Sequence, residues 1–209
     1  MSAPFQPPIV ILANGAFPSH QKSLMILDQA GTVICTDGSA DLLIDLGHTP
    51  HIIIGDSDST SLDKNTFQGL WIDAPDQNKT DLHKTLDWCM LNKINEVNVL
   101  GATGVREDHA LGNLHILAKF SSKMSIQFVS DHATIYSFKG DQTFRSITGQ
   151  QVSIVSIEHV DSISTQGLKH PLNNEPLPPA CNGISNEALG EEFTISTSHP
   201  IWLFLNHPE

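Results

Sequence analysis

The chain has 209 residues, with 23 acidic against 11 basic side chains and a formal net charge of −12 at neutral pH. With 39% hydrophobic and only 16% charged residues it can bury a sizeable core, which excludes a disordered chain and a coiled coil. The acidic balance excludes nucleic-acid binding by phosphate neutralisation, which needs clustered Lys and Arg. It leaves open a phosphorylated substrate, provided divalent cations stand between the two sets of negative charges.

Up to Pro8 the chain has no basic residue and no long apolar run, so no secretory signal is expected. The run Ile9–Ala13 is far short of the ~18 residues that span a bilayer and reads as a first strand. Val33–Thr36 reads as a second strand, followed by a short helix over Ser39–Leu46 with Leu42, Leu43 and Leu46 inward and Gly47 placed to end it. Ile52–Ile54 is a third strand and Leu70–Ile72 a weaker one. In Asp81–Lys93 the residues Leu82, Leu86, Cys89 and Met90 recur at helical spacing, with Lys84 and Asp87 off that stripe. Val97–Leu100 and Ile126–Val129 read as strands flanking a helix over Ala110–Phe120, with Ala110, Leu111, Leu114, Leu117 and Ala118 forming its apolar stripe. Short apolar strands alternating with helices predict an α/β fold, a mostly parallel sheet with helices on both faces.

Beyond about Asp131 helical spacing disappears. Thr134–Phe138, Thr143–Ile147, Gln151–Ile157, Phe193–Thr197 and Ile201–Leu205 carry β-formers, punctuated by glycines, while the proline-rich segment His170–Pro179 reads as a loop. A C-terminal all-β, sandwich-like domain over residues 136–209 is therefore expected after an α/β domain over 1–135. Cys35, Cys89 and Cys181 are too far apart for a disulfide framework or a C-x-x-C zinc site, and Cys35 and Cys89 read as buried core thiols. The expected setting is the reducing cytoplasm.

The chemistry lies where acids fall after strands. Asp37 follows the second strand, Asp56 and Asp58 the third, Gln77, Thr80 and Asp81 the weak strand, and Arg106 and Asp108 the strand ending at Leu100. In an open parallel sheet the loops beyond the strands' carboxyl ends share one edge, where ligands bind. Carboxylates converging there, with Arg106 as main counter-charge, would resist ionisation unless a hard cation joined them. Mg²⁺, which takes one or two carboxylates plus phosphate oxygens, suits that arrangement.

Each feature also has a plainer explanation. The run Gly55-Asp-Ser-Asp-Ser-Thr60 could be a turn whose Asp and Ser side chains cap the next helix, Asp81 a helix-start acid, and Arg106 and Asp108 a surface pair. An EF-hand loop is excluded, because Ser61 stands where Gly is needed and Phe67 where Glu is needed. No P-loop, G-x-G-x-x-G, H-E-x-x-H or G-x-S-x-G occurs. The recurrence of acids in successive strand-to-helix loops is what the plain explanations leave unexplained.

At these residues the sequence resembles the thiamine pyrophosphokinase family. Thr36-Asp-Gly-Ser-Ala40 resembles its A-D-G-G-A, Ile52-Ile-Ile-Gly-Asp-Ser-Asp-Ser59 its I-I-G-D-x-D-S, Asp76-Gln-Asn-Lys-Thr-Asp-Leu82 its D-Q-x-x-T-D-L, and Arg106-Glu-Asp-His109 its R-x-D-H. Gly167-Leu-Lys-His-Pro-Leu172 and Gly183-Ile-Ser-Asn-Glu187 resemble its G-L-K-W/Y-P-L and G-x-S-N-E. The resemblance implies transfer of a diphosphate from ATP to the thiamine hydroxyl, with AMP leaving, by a homodimer that binds thiamine between subunits. It implies Asp37, Asp56, Asp58 and Asp81 at a Mg²⁺ and phosphate site, with Asp56, Asp58, Asp81 and Arg106 catalytic. Gln77, Thr80, Arg106 and Asp108 would hold ATP, and Ser185, Asn186 and the loop around Lys169 and His170 would contact thiamine. Ser39 and His170 depart from the pattern, the latter offering less stacking area than Trp or Tyr. Two alternatives remain. One is a haloacid-dehalogenase-like phosphatase with Asp56 as nucleophile and Asp58 as general acid; the other is a sensor that binds thiamine or nucleotide without turnover.

Overall fold

The computed structural model describes residues 5–56, 60–179 and 182–208. The chain divides into two compact units, residues 1–116 with 123–131 and residues 117–122 with 132–209.

In the first unit, six strands run in parallel: β1 (Ile9–Leu12), β2 (Thr32–Thr36), β3 (Ile52–Gly55), β4 (Leu70–Asp73), β5 (Glu96–Leu100) and β6 (Ser125–Val129). Their spatial order is β6-β5-β1-β2-β3-β4. The chain starts at β1, builds outward through β2, β3 and β4, then crosses back to lay β5 and β6 on β1's other side. That reversal makes the β1/β5 junction a topological switch point. Every residue of β1, β2 and β3 is buried, the pattern of strands covered on both faces. On one face Val10, Leu12, Val33, Cys35 and Ile53 pack with Leu27 of helix α1 (Gln21–Asp28) and with Ala40 and Leu43 of α2 (Ser39–Asp45). Alternation turns Ile11, Ile34, Ile52 and Ile54 to the opposite side. Helix α3 (Asp81–Leu91), which packs along β2 and β3, buries Leu82, Leu86 and Cys89. Helix α4 spans Glu107–Phe120.

Several expectations need adjustment. Of the three leucines expected inward only Leu43 is; Leu42, and Leu46 at the C-cap of α2, are exposed. Met90 and Leu111 also lie outside their helices' buried stripes, and α4 starts three residues before Ala110. Helix α1 escapes a periodicity reading because Leu24, Met25, Ile26 and Leu27 are consecutive and trace no stripe, and only Ser23 and Leu27 of that helix are buried. Its N-cap is His20, whose ring Nδ1 accepts the Lys22 N–H at 3.2 Å.

The second unit is antiparallel. It contains β7 (Ala133–Arg145), β8 (Gln151–Ser156), β9 (Val160–Gln166), β10 (Asn173–Leu177), β11 (Asn186–Glu187) and β12 (Glu192–Asn206). Strand β12 is continuous where the sequence suggested two strands. Ser198, His199 and Pro200 form a bulge opposite Lys139 of β7. Before the bulge β12 pairs with β9 and after it with β8, while β7 accompanies both halves. A long strand that changes partners at a bulge is how one strand serves two packed sheets. The core between them draws Phe193 and Ile195 from the first half of β12 and Ile201, Leu203 and Leu205 from the second, with Val152 and Ile154 of β8 and Val160 and Ile163 of β9. Strand β7 likewise runs through Gly140, at φ +90°, where the sequence suggested a turn. The proline-rich segment contains the edge strand β10, with register shifts on either side of Glu175. Pro176, which has no N–H to donate, is tolerated at such an irregular edge. Strand β9 escapes prediction because its buried apolar residues, Val160 and Ile163, are three apart and break the two-residue period.

Candidate active site

A cavity of about 440 Å³ opens over the carboxyl ends of the parallel strands at the switch point. Asn14 and Gly15 after β1, and Thr103 after β5, contribute to its lining. The two loops are locked together by backbone bonds, Gly15 N–H to Gly101 O at 2.8 Å and Ala16 N–H to Thr103 O at 2.9 Å. Such closeness requires glycine: a Cβ on Gly15 would lie 2.3 Å from Gly101 O and 2.8 Å from Thr103 O. From α4, Asn113 also lines the cavity, and its Nδ2 donates to Ala102 O at 2.8 Å.

The lining also carries residues singled out in the sequence. Asp56, Gln77, Thr80, Asp81 and Arg106 all line this cavity. Gln77 Nε2 donates to Asp56 Oδ2 at 2.8 Å and so fixes that carboxylate. Asp76 accepts the Asn78 N–H at 2.9 Å, an Asx turn that sets the Gln77 loop and holds the Asp76 carboxyl below the usual carboxylate range. Thr80 caps α3, accepting the His83 N–H, and delivers Asp81 as the helix's first residue. Asp37 is placed differently. It is 1% exposed, outside the cavity lining, with a backbone φ of +30°. Its Cβ lies so near Gly55 that a side chain there would meet it at 2.6 Å, so the glycine preceding Asp56 makes room for Asp37. Asp108 also lies outside the lining and grips Arg106 through two bonds, from Nε to Oδ1 at 3.1 Å and from Nη2 to Oδ2 at 2.6 Å. That guanidinium, helped by the His109 N–H, pulls the Asp108 carboxyl down to about 2. Asp58 lies outside the described residues; just beyond, the Ser61 N–H donates to Asp41 of α2 at 2.9 Å.

Three features escape the sequence reading. Asn14 and Gly15 follow a strand that carries no acid, and nothing local marks glycines whose constraint comes from a loop nearly 90 residues away. Lys79 sits inside the quoted motif and lines the cavity, pairing with Asp87 at 2.9 Å. Lys84 lies off the apolar stripe of its helix, yet it is buried and donates to Asp81 Oδ1 at 2.9 Å. The cavity's counter-charge is therefore Arg106 with two lysines.

Among the described residues no three His, Cys, Asp or Glu side chains gather as a metal site. The donor set in the cavity, Asp56 and Asp81, still fits Mg²⁺, which is satisfied by one or two carboxylates when phosphates complete its shell.

In the second unit, Asn186 is buried and its amide is engaged with the neighbouring loop. Its Oδ1 accepts the His170 and Glu187 N–H groups, at 3.0 and 2.9 Å, and its Nδ2 donates to His170 O at 2.7 Å. Ser185 is exposed with φ +60° and donates its N–H to Ser153 Oγ at 3.0 Å. Lys169 and His170 are exposed, and Lys169 pairs with Glu187 at 2.9 Å.

None of the described helices is long and apolar enough to cross a membrane. Two family models match, the thiamin pyrophosphokinase catalytic domain over residues 24–129 and the thiamin pyrophosphokinase substrate-binding domain over residues 134–204. A curated relative from Oryza sativa subsp. japonica, thiamine pyrophosphokinase 1, is 27% identical over 96% of this chain and 91% of its own. One from Bacillus subtilis, thiamine pyrophosphokinase, is 27% identical over 82% of this chain and 85% of its own. The crystal structure of thiamine pyrophosphokinase from Bacillus subtilis shares the fold, with a TM-score of 0.79 at 24% identity over 96% of this chain and 99% of that one. With both halves of the chain matched in order, this protein belongs to the thiamin pyrophosphokinase family, enzymes that are ATP:thiamine diphosphotransferases.

Proposed function

We propose that the chain transfers the terminal diphosphoryl group of ATP to the hydroxyl of thiamine, with nucleotide chemistry on residues 1–135 and thiamine binding on residues 136–209. The observation that carries this reading is the switch-point cavity, whose lining brings Asp56 and Asp81 together with Lys79, Lys84 and Arg106. The thiamine hydroxyl oxygen bonds to the β-phosphorus, the bond from that phosphorus to the AMP oxygen breaks, and a carboxylate of Asp56 or Asp81 takes the hydroxyl proton. Transfer of this kind depends on alignment and charge neutralisation. Arg106, Lys79 and Lys84 supply positive charge, and Gln77 holds Asp56 in place. Asp56 and Asp81 would hold Mg²⁺, which when bound neutralises phosphate charge and polarises the phosphorus–oxygen bonds. Asp58 belongs with them by resemblance, and Asp37, packed against Gly55, supports the loop that carries Asp56. Ser185, Lys169 and His170 would contact thiamine on a loop braced by Asn186. The family resemblance also favours a homodimer.

The test is AMP release that depends on added thiamine and Mg²⁺. Asp56→Asn is expected to lower turnover about 100-fold or more with an unchanged melting temperature. Wild-type turnover in that variant removes Asp56 from the site. Release of inorganic phosphate without thiamine would instead favour the phosphatase reading, and binding without release the sensor.

A further inference from the structure

Among the described residues, Lys84 is the charged side chain most deeply buried in the cavity lining. Its side chain is 7% exposed, whereas its partner Asp81 is 39% exposed. Lysine is almost never so buried unless paired, and here the Lys84 ammonium gives up most of its hydration for a partner that keeps much of its own. An ammonium has three N–H donors; among the described residues, the hydrogen bond to Asp81 Oδ1 accounts for one. The pair is also poorly suited to remain closed. Asp81 cannot give all its charge to Lys84 and also serve a metal, and the cavity it lines carries a second carboxylate, Asp56.

We propose that Lys84 is a polyphosphate-binding residue that exchanges partners: it neutralises Asp81 in the empty cavity and donates to phosphate oxygens when nucleotide enters, freeing Asp81. This rests on the diphosphotransferase reading and goes beyond it by assigning the nucleotide's phosphates a residue on the first turn of α3. The exchange keeps the local charge balanced throughout. Before entry the ammonium offsets the carboxylate; afterwards it offsets phosphate, and the released carboxylate is available to a cation.

The experiment is calorimetric titration of ATP, inorganic triphosphate and adenosine into the full-length protein in EDTA, so that no metal contributes. Lys84→Met is expected to weaken ATP and triphosphate binding roughly 10- to 100-fold, the range for losing a hydrogen bond to a charged group, with adenosine unaffected. Lys84→Arg is expected to restore most of the loss. Asp81→Asn, which frees the ammonium, should tighten metal-free ATP binding, and the gain should vanish in Asp81→Asn/Lys84→Met. With a merely structural ion pair, the gain from losing the Asp81 charge would persist undiminished in the Lys84→Met background, so its dependence on Lys84 is what marks the exchange. Equal ATP affinity in wild type and Lys84→Met overturns the proposal while leaving the diphosphotransferase reading intact; a wild type that binds no ATP even with Mg²⁺ overturns both. Should Lys84→Met fail to fold, the Asp81→Asn arm decides: unchanged or weaker metal-free binding refutes the exchange.

Discussion

Replacing Gly15 with alanine tests whether the switch point is built on contact between two backbones. The added Cβ would sit 2.3 Å from Gly101 O and 2.8 Å from Thr103 O, separations that real Cβ atoms do not tolerate. Neither obstacle is the end of a flexible side chain, so one loop must move. Overpacking of this kind costs about 1–3 kcal/mol. Separation also strains the bonds Gly15 N–H to Gly101 O and Ala16 N–H to Thr103 O, each worth about 1 kcal/mol. The expected total is roughly 3 kcal/mol, which for a chain of this size lowers the melting temperature by about 6–12 °C. Gly112 supplies the opposite case. It lies in α4 with nothing within 4 Å of its would-be Cβ, so Gly112→Ala should stabilise by up to ~1 kcal/mol through helix propensity. Circular dichroism melts of the two variants beside wild type check both signs. A Gly15→Ala protein melting within a degree of wild type would refute the claim that the loops cannot separate without cost. The same substitution is expected to reduce AMP release, because the loop bearing Asn14 and the loop leading to Arg106 move apart.

Two further outcomes are expected. The Arg106–Asp108 pair should act only while Asp108 is ionised. Its carboxyl is depressed to about 2 in the folded chain, against about 3.9 when unfolded. Its contribution is therefore fully present above pH ~4 and is lost as pH falls through about 2. Carboxyl titration by NMR should show Asp108 returning towards its ordinary range in Arg106→Gln; an unmoved titration would sever the link. Cys35 and Cys89 are buried, with thiols pushed up to about 12 by desolvation. Alkylation at pH 8 followed by peptide mapping should leave both unlabelled until denaturant is added, and prompt labelling of either would contradict their burial.

The α/β-then-β architecture was legible because its signals are local. Apolar runs such as Ile52–Ile54 and helical spacing such as Leu82, Leu86 and Cys89 depend on near neighbours only. The loops carrying Asp56, Gln77 and Asp81 could be placed on one edge because parallel strands send all their carboxyl ends the same way. What escaped depends on distant partners. Gly15 is constrained by Gly101 and Thr103, and Lys84 is buried at the cavity, although a lysine off a helix's apolar stripe ordinarily faces water. Strands β7 and β12 each read as two because Gly140 and the His199–Pro200 step look like stops. In the folded unit the pairing of the two strands resumes beyond the bulge.

The partner change along β12 has a mechanical consequence. One length of backbone is stitched into both layers of the sandwich, so neither layer can peel away without straining the other. The unit then has no internal seam along which a part could open first. Amides in β8 and β9, though they pair with opposite halves of β12, should exchange with deuterium as one block and share a common opening free energy.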